Sequence, residues 1–132
     1  PEISQIASQA SALPCVRALL LDVQRTFARG NNIIMDGRDI GTYVLPDAKA
    51  KFFITASSGV RARRRQKDLL AAGQEVDIQQ LEQEIIARDK ADSEREFAPL
   101  RCAEDAIYLD TSEMNVDQVI RFVCGKIEEI YG

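Results

Sequence analysis

The 132-residue sequence contains no histidine and no tryptophan, and only three residues are cysteine. Without histidine, this chain by itself offers neither a histidine-based catalytic triad nor the histidine ligands common in zinc sites. Cys15, Cys102 and Cys124 are odd in number and form no Cys-x-x-Cys motif, which favours packing residues in a reducing compartment. Zinc chemistry and histidine-dependent nucleophilic catalysis are therefore not expected.

Long apolar runs and an excess of positive charge are also missing. No apolar stretch approaches the roughly 20 residues that span a membrane, and the start at Pro1 lacks the basic region and apolar core of a signal peptide. A net charge of −4 argues against general nucleic-acid binding. The composition, 45% hydrophobic and 29% charged, is that of a soluble globular domain. We predict one cytoplasmic domain with no membrane or nucleic-acid partner.

The most informative stretch runs from residue 32 to residue 41. Its apolar run Ile33-Ile34-Met35 predicts a strand buried on both faces of a parallel sheet. Asp36-Gly37-Arg38-Asp39 follows directly, so two carboxylates and a guanidinium lie just past the carboxyl end of that strand. Ligands bind at this edge in open α/β sheets. The pattern predicts a ligand site here, with an ordinary charged turn as the alternative.

The rest of the chain alternates between helical and strand patterns. In order, we predict a helix from Cys15 to Ala28, a strand from Ala50 to Thr55, a helix capped by Ser57 or Ser58 that ends near Ala71, a helix from Ile78 to about Arg95, a strand from Ala106 to Leu109 and a helix capped by Asn115. Mild helical character also occurs in residues 3–10. This order predicts an α/β fold with a parallel sheet and flanking helices.

Two helices carry unusual charge. The helix after Ser58 has five cations within residues 61–67. On the helix that begins at residue 78, one face changes from apolar to charged along its length: Ile78, Leu81, Ile85, Arg88, Asp92 and Arg95. A solvated face should lie opposite an apolar stripe and not continue it. The pattern favours a polar cleft where this helix leaves the core, with a structural ion-pair network as the alternative.

These residue types suit phosphate chemistry. Arginine supplies planar, bidentate donors that match phosphate oxygens, and carboxylates past a strand can accept from ribose hydroxyls or hold water on Mg²⁺. Phosphoryl transfer needs mainly positioning and cationic charge from the protein. The residues fit that reaction, and they fit passive binding of a phosphorylated ligand almost as well.

Short motifs are spread along the chain from residue 36 to residue 112. They are Asp36-Gly37-Arg38-Asp39-Ile40-Gly41-Thr42, Pro46-Asp47-Ala48, Thr55-Ala56-Ser57, Arg63-Arg64-Arg65, Arg88-Asp89 with Asp92 and Arg95, Ala98-Pro99-Leu100 and Asp110-Thr111-Ser112. In this order and spacing they resemble bacterial cytidylate (CMP/dCMP) kinases over essentially the whole chain. The resemblance implies a nucleoside monophosphate kinase fold, with a five-stranded parallel sheet, flanking helices and mobile NMP-binding and lid segments. It implies transfer of the ATP γ-phosphate to CMP or dCMP with Mg²⁺.

The resemblance also implies roles for particular residues. Those expected at the cytosine ring are Arg17, Asp39 and Arg95, and those at the ribose and monophosphate are Arg88 and Asp92, with Ser8 near the sugar. Arg38 would face the acceptor phosphate. The lid, roughly residues 58–96, would clamp phosphates with Arg61, Arg64 and Arg65. Asp36 would support Mg²⁺ through water.

One family motif is missing. The phosphate loop Gly-x-x-x-x-Gly-Lys-[Ser/Thr], whose amides and lysine cradle ATP, does not occur. The resemblance therefore implies a truncated or processed chain: residues 1–132 would be the C-terminal part of one partial P-loop kinase domain, without the phosphate loop and the NMP-binding insertion. We expect the fragment alone to be inactive. Its open strand edge would favour self-association or pairing with the missing N-terminal part, whereas the full-length protein would be a monomer.

Two other interpretations stay open at this point. The chain could be the C-terminal part of another P-loop kinase that acts on a different small acceptor. It could also be a non-catalytic fragment whose arginines bind phosphate without discrimination. The set formed by Asp39, Arg88, Asp92 and Arg95 separates these hypotheses, because only pyrimidine recognition requires them to converge on one cleft.

Overall fold

The computed structural model describes residue 6, residues 10 and 11, and residues 13–132, which form an α/β arrangement. Its elements are α1 (Pro14–Ala28), a π-helical turn (Ile40–Val44), β1 (Phe52–Thr55), α2 (Ser58–Ala71), α3 (Ile78–Glu94), β2 (Ile107–Asp110) and α4 (Val116–Tyr131). The strands are parallel, with Phe52 opposite Ile107 and Thr55 opposite Asp110. The predicted α/β class with a parallel sheet and flanking helices is confirmed. None of the described helices is long and apolar enough to cross a membrane.

Capping residues explain where the helices begin. Pro14 occupies the first turn of α1, where its missing N–H costs nothing. The Ser57 hydroxyl accepts from the backbone N–H of Val60, and the Asp77 carboxylate accepts from that of Gln80 at 2.8 Å. Before α4, Asn115 forms a reciprocal capping box with residue 118. The predicted helix starts are therefore confirmed within the usual one or two residues.

The predicted strand at Ile33–Met35 is wrong for this chain. Residues 32–36 have no regular secondary structure, and the Ile34 side chain is 96% exposed. A strand exists only through hydrogen bonds to a neighbouring strand, and the sheet among the described residues consists of β1 and β2 alone. Within the described part of the chain no strand lies next to this apolar run, so the run does not form a strand itself. The five strands implied by the family resemblance are likewise not all present in this part of the chain.

The tightest packing lies where the two strands end and α2 begins. Ala62 on α2 is completely buried, and Ala56, Leu109 and Thr111 around the strand ends are nearly so. The two long helices α2 and α3 pack against each other as a hairpin beside this point. By contrast, α1 leaves its large apolar side chains exposed. The arrangement places the carboxyl ends of both strands next to the charged helices.

Candidate functional site

A polar cavity of about 180 Å³ lies between α1, the loop before the π-helical turn and the end of α3. Each element contributes a charged residue from one of its ends. Arg17 lies in the first turns of α1, Asp39 precedes the π-helical turn, and Arg95 caps α3 at its carboxyl end. The three residues lie far apart in the sequence, and the fold brings them to one cavity. Of the four residues that the cleft prediction names, Asp39 and Arg95 line this cavity, whereas Arg88 and Asp92 do not.

Asp39 holds two guanidinium groups. Arg17 donates from Nη2 to Asp39 Oδ2, and Arg95 Nη2 lies 3.7 Å from Asp39 Oδ1. The Arg17 and Asp39 side chains are only 13% and 12% exposed. Backbone contacts fix both cations further, because Arg17 Nη1 donates to the carbonyl of Ser11 and Arg95 Nε donates to that of Ala98 at 2.6 Å. The result is a buried cluster with two positive charges and one negative charge.

Two nitrogens of this cluster are incompletely bonded. Arg17 Nε and Arg95 Nη2 are buried and have no hydrogen-bond acceptor within the part of the chain that the structure describes. Buried polar groups are normally hydrogen-bonded, since an unmet donor loses its hydration without compensation. Both nitrogens belong to residues that line the cavity. A ligand with acceptor atoms would therefore complete the hydrogen bonding of the cluster.

A second ion-pair group lies beside the first. Asp92 on α3 is 8% exposed, accepts from Arg38 Nε at 2.9 Å and lies 4.0 Å from Arg88 Nε. The arginine side chains are 43% and 50% exposed, so the carboxylate is buried while both cations remain reachable. The charged end of the α3 face thus forms ion pairs at Arg88 and Asp92, and of its charged residues only Arg95 lines the cavity. The ion-pair alternative therefore describes Arg88 and Asp92, and the cleft alternative describes Arg95.

Two aromatic residues that the sequence analysis missed support the cavity. The ring of Phe97 meets that of Tyr43 edge-on, with centroids 5.0 Å apart, and the Arg17 guanidinium lies 5.4 Å from the Phe97 centroid. Arg25 fixes Tyr43 from the other side by donating to the carbonyls of residues 43 and 44. Their positions in the sequence could have indicated them, because Tyr43 directly follows the motif that contains Asp39, and Phe97 lies two residues after Arg95.

The predicted phosphate-clamping arginines do not reach this cavity. Arg61 donates to the Ala56 carbonyl and to both oxygens of Asp89, and the hydrogen bond to that carboxylate raises the pKa of the guanidinium. Arg64 donates to the hydroxyl and carbonyl of Thr111 and to the carbonyl of residue 114. Arg65 is exposed on α2. These side chains therefore lie at the strand ends and on the helix surface.

The structure says less about the residues expected to support Mg²⁺ and to contact the sugar. Asp36 is exposed, and no group of three His, Cys, Asp or Glu residues able to hold a metal occurs among residues 13–132 and the three described before them. Magnesium usually keeps several waters and binds through one or two carboxylates together with substrate phosphates. The described residues alone do not make a Mg²⁺ site. Ser8 lies outside the described residues.

A larger groove of about 450 Å³ runs along α1 and differs from the polar cavity in the charge of its lining. It is open and mostly apolar, and it is lined by Asp22, Val23, Thr26, Phe27 and Asn31. None of the predicted site residues lines it, and its lining contains no cation. Size alone would favour this groove, but the charges and incomplete hydrogen bonds favour the smaller cavity as the functional site.

Comparison with known proteins agrees with the motifs. The sequence profile of the cytidylate kinase family matches residues 1–129. The cytidylate kinase of Carboxydothermus hydrogenoformans is 45% identical over 132 residues, which are all of this chain and 58% of the relative. That of Methylococcus capsulatus is 50% identical over 123 residues, or 93% of this chain and 55% of the relative. The chain thus spans little more than half the length of these curated relatives. It belongs to the cytidylate kinase family.

Proposed function

We propose that the whole protein is a nucleoside monophosphate kinase that transfers the γ-phosphate of ATP to CMP or dCMP, and that the polar cavity binds the pyrimidine. The observation that supports this is the pair of buried, unmet N–H groups on Arg17 and Arg95 on either side of the Asp39 carboxylate. Cytosine presents ring acceptors next to an exocyclic amine, which is a donor. Two arginine donors flanking a carboxylate acceptor complement that pattern.

The second ion-pair group suits the rest of the acceptor nucleotide. Asp92 is buried and already accepts from Arg38, so its remaining acceptor capacity faces Arg88 and any ribose hydroxyl that approaches. Arg38 and Arg88 are each about half exposed, which leaves guanidinium N–H groups free for phosphate oxygens. We infer that these three residues hold the sugar and monophosphate next to the pyrimidine cavity.

Residues 58–96, which include α2 and α3, would act as the lid within a single kinase domain. Their arginines Arg61, Arg64 and Arg65 supply the cationic charge that phosphoryl transfer requires. ATP would be the donor, and Mg²⁺ would offset phosphate charge when bound with it. The chain has no phosphate loop to cradle ATP, so we expect the 132-residue chain alone to bind CMP without phosphorylating it. The whole protein would act as a monomer in the cytoplasm.

Calorimetric titration of the 132-residue chain, with its intact mass checked, tests the acceptor site. CMP should bind at least about tenfold more tightly than AMP. Arg95→Met should weaken CMP binding by about 1–3 kcal/mol, the contribution of hydrogen bonds to a charged group. Arg101→Met, at an exposed arginine outside the cavity, is the matched control and should change nothing. Equal, weak binding of CMP, UMP and AMP would instead support a non-selective phosphate-binding fragment.

Activity requires a longer protein. We define the full-length kinase as this chain joined to the part of the C. hydrogenoformans enzyme that it does not match. That protein should phosphorylate CMP with ATP and Mg²⁺, whereas the 132-residue chain should not. A full-length kinase that folds and binds ATP but leaves CMP unphosphorylated would overturn the proposed function.

A further inference from the structure

Asp89 lies on α3 three residues before Asp92, on the same side of the helix. Each of the two carboxylates holds an arginine from another element: Asp92 binds Arg38, and Asp89 binds Arg61 of α2. The second contact is a fork-to-fork pair, because Arg61 Nη1 and Nη2 donate to Oδ1 and Oδ2 of Asp89, with 3.0 Å between Nη1 and Oδ1. Such pairs fix the plane of a guanidinium as well as its charge.

A third contact ties Arg61 to the sheet. Its Nε donates to the carbonyl of Ala56 at 3.0 Å, and Ala56 is the first residue after β1. Since ligands of open α/β sheets bind outside the carboxyl ends of the strands, Arg61 is held at the edge where a nucleotide phosphate is expected. Neighbouring Ala62 is completely buried, so the backbone that carries Arg61 is fixed too.

These contacts leave some N–H donors of Arg61 without an acceptor in the described residues. A guanidinium has five N–H donors, and the three hydrogen bonds leave one N–H on each terminal nitrogen. The Arg61 and Asp89 side chains are 35% and 33% exposed, so a ligand can reach them. A pair with this exposure adds little to stability. Its larger effect is to orient the arginine.

We propose that Asp89 is a positioning residue that orients Arg61 at the end of β1, so that the two remaining N–H groups of Arg61 donate to nucleotide phosphate oxygens during transfer. This inference rests on the proposed function. Asp89 itself touches no substrate. It binds the edge formed by the two terminal nitrogens and leaves one N–H on each of them, on opposite flanks of that edge, for phosphate oxygens.

The test measures CMP phosphorylation by the full-length kinase carrying Asp89→Asn, Asp89→Glu or Arg61→Lys. Asp89→Asn keeps the side-chain volume but loses the second acceptor oxygen, and kcat should fall about 10- to 100-fold, while the KM for CMP should change less than about threefold, because the pyrimidine cavity is intact. Asp89→Glu should recover part of the lost kcat. Glu84→Gln, at an exposed carboxylate on the same helix, is the matched control and should leave both constants unchanged.

A double-variant cycle separates positioning from scaffolding. If Asp89 acts through Arg61, adding Asp89→Asn to Arg61→Lys should lower kcat little further, since both changes remove the same interaction. The Nε–H signal of Arg61 in a ¹⁵N spectrum of the 132-residue chain should also shift in Asp89→Asn. Additive losses, or a lower melting temperature with unchanged kcat, would overturn the proposal. An unmodified full-length kinase without CMP activity would instead overturn the proposed function.

Discussion

Two regions of the molecule are held together by different forces. The hairpin unit, defined as β1, α2, α3 and β2, contains the closed packing around Ala62 and pairs its strands directly. The α1 region, defined as residues 13–45, is tied on by arginines: Arg17 binds Asp39, Arg25 binds the carbonyls of the π-helical turn, and Arg38 reaches Asp92 of the hairpin unit. The polar cavity lies where the two regions meet.

The difference explains why polar groups are buried while apolar groups are exposed. Leu19 and Phe27 on α1 are 67% and 62% exposed, whereas the Asp92 carboxylate is 8% exposed. A large exposed apolar face usually marks a surface that another element covers. The arginine contacts therefore hold α1 in place, but they do not give it a hydrophobic core of its own.

The largest expected effect contrasts packing in the two regions. Ala62→Leu inserts a side chain where none fits and should lower the free energy of unfolding by about 3 kcal/mol, the upper end of overpacking costs. Leu19→Ala, at an exposed position on α1, should change it by less than about 0.5 kcal/mol. Urea unfolding of the 132-residue chain measures both. Equal losses would show that α1 is packed as tightly as the hairpin unit, contrary to the comparison.

A smaller effect is expected where the two regions join. Asp92→Asn removes the charge that binds Arg38 and Arg88 and should cost about 2 kcal/mol of stability, as for a hydrogen bond between charged groups. CMP binding, measured by calorimetry, should weaken about tenfold or more if Asp92 accepts from the ribose as we propose. Asp47→Asn, at an exposed carboxylate, is the control. If CMP binding weakens while the free energy of unfolding is unchanged, Asp92 acts only in ligand binding and does not join the two regions.

The smallest effect is present at neutral pH and disappears in acid. Lys51 is buried before β1 and donates to both oxygens of Asp105, which lowers the pKa of that carboxyl below its ordinary value of 3.8. A lowered native pKa means that the pair stabilises the fold above pH 3.8 and loses this effect as the pH falls through the native value. Asp105→Asn should therefore be less stable than the parent at pH 7, with the difference shrinking below pH 3.8. A difference independent of pH would contradict this.

The sequence indicated the charged clusters better than it predicted the sheet. Arg88, Asp92 and Arg95 were identified because charge on a core-facing stripe violates the usual helix pattern, and Asp39 because it follows an apolar run. The fold brings all four to adjoining ion-pair groups. Ile33–Met35 was predicted as a strand because its composition is that of a buried strand. Apolar composition indicates that a segment is suited to burial. Strand formation also needs a neighbouring strand to hydrogen-bond with, and the described residues contain none beside Ile33–Met35.

The contacts of the arginine-rich helix could not be foreseen for a related reason. The run at residues 61–67 indicates cations but not their partners, because those partners are a carbonyl after β1, a carboxylate on α3 and the exit of β2. Such contacts depend on the three-dimensional arrangement of distant segments. The contact between Phe97 and the Arg17 guanidinium depends on it in the same way.

The parallel pairing of β1 and β2 has a consequence for biosynthesis. All of α2 and α3 must be translated between the two strands, at about 5–20 residues per second. For several seconds the nascent chain therefore carries Phe52–Thr55 without its partner β2. The α2–α3 hairpin, whose contacts are local, can form during that interval, since local contacts close fastest. We expect the sheet to assemble last, after the helices that separate its strands have already docked.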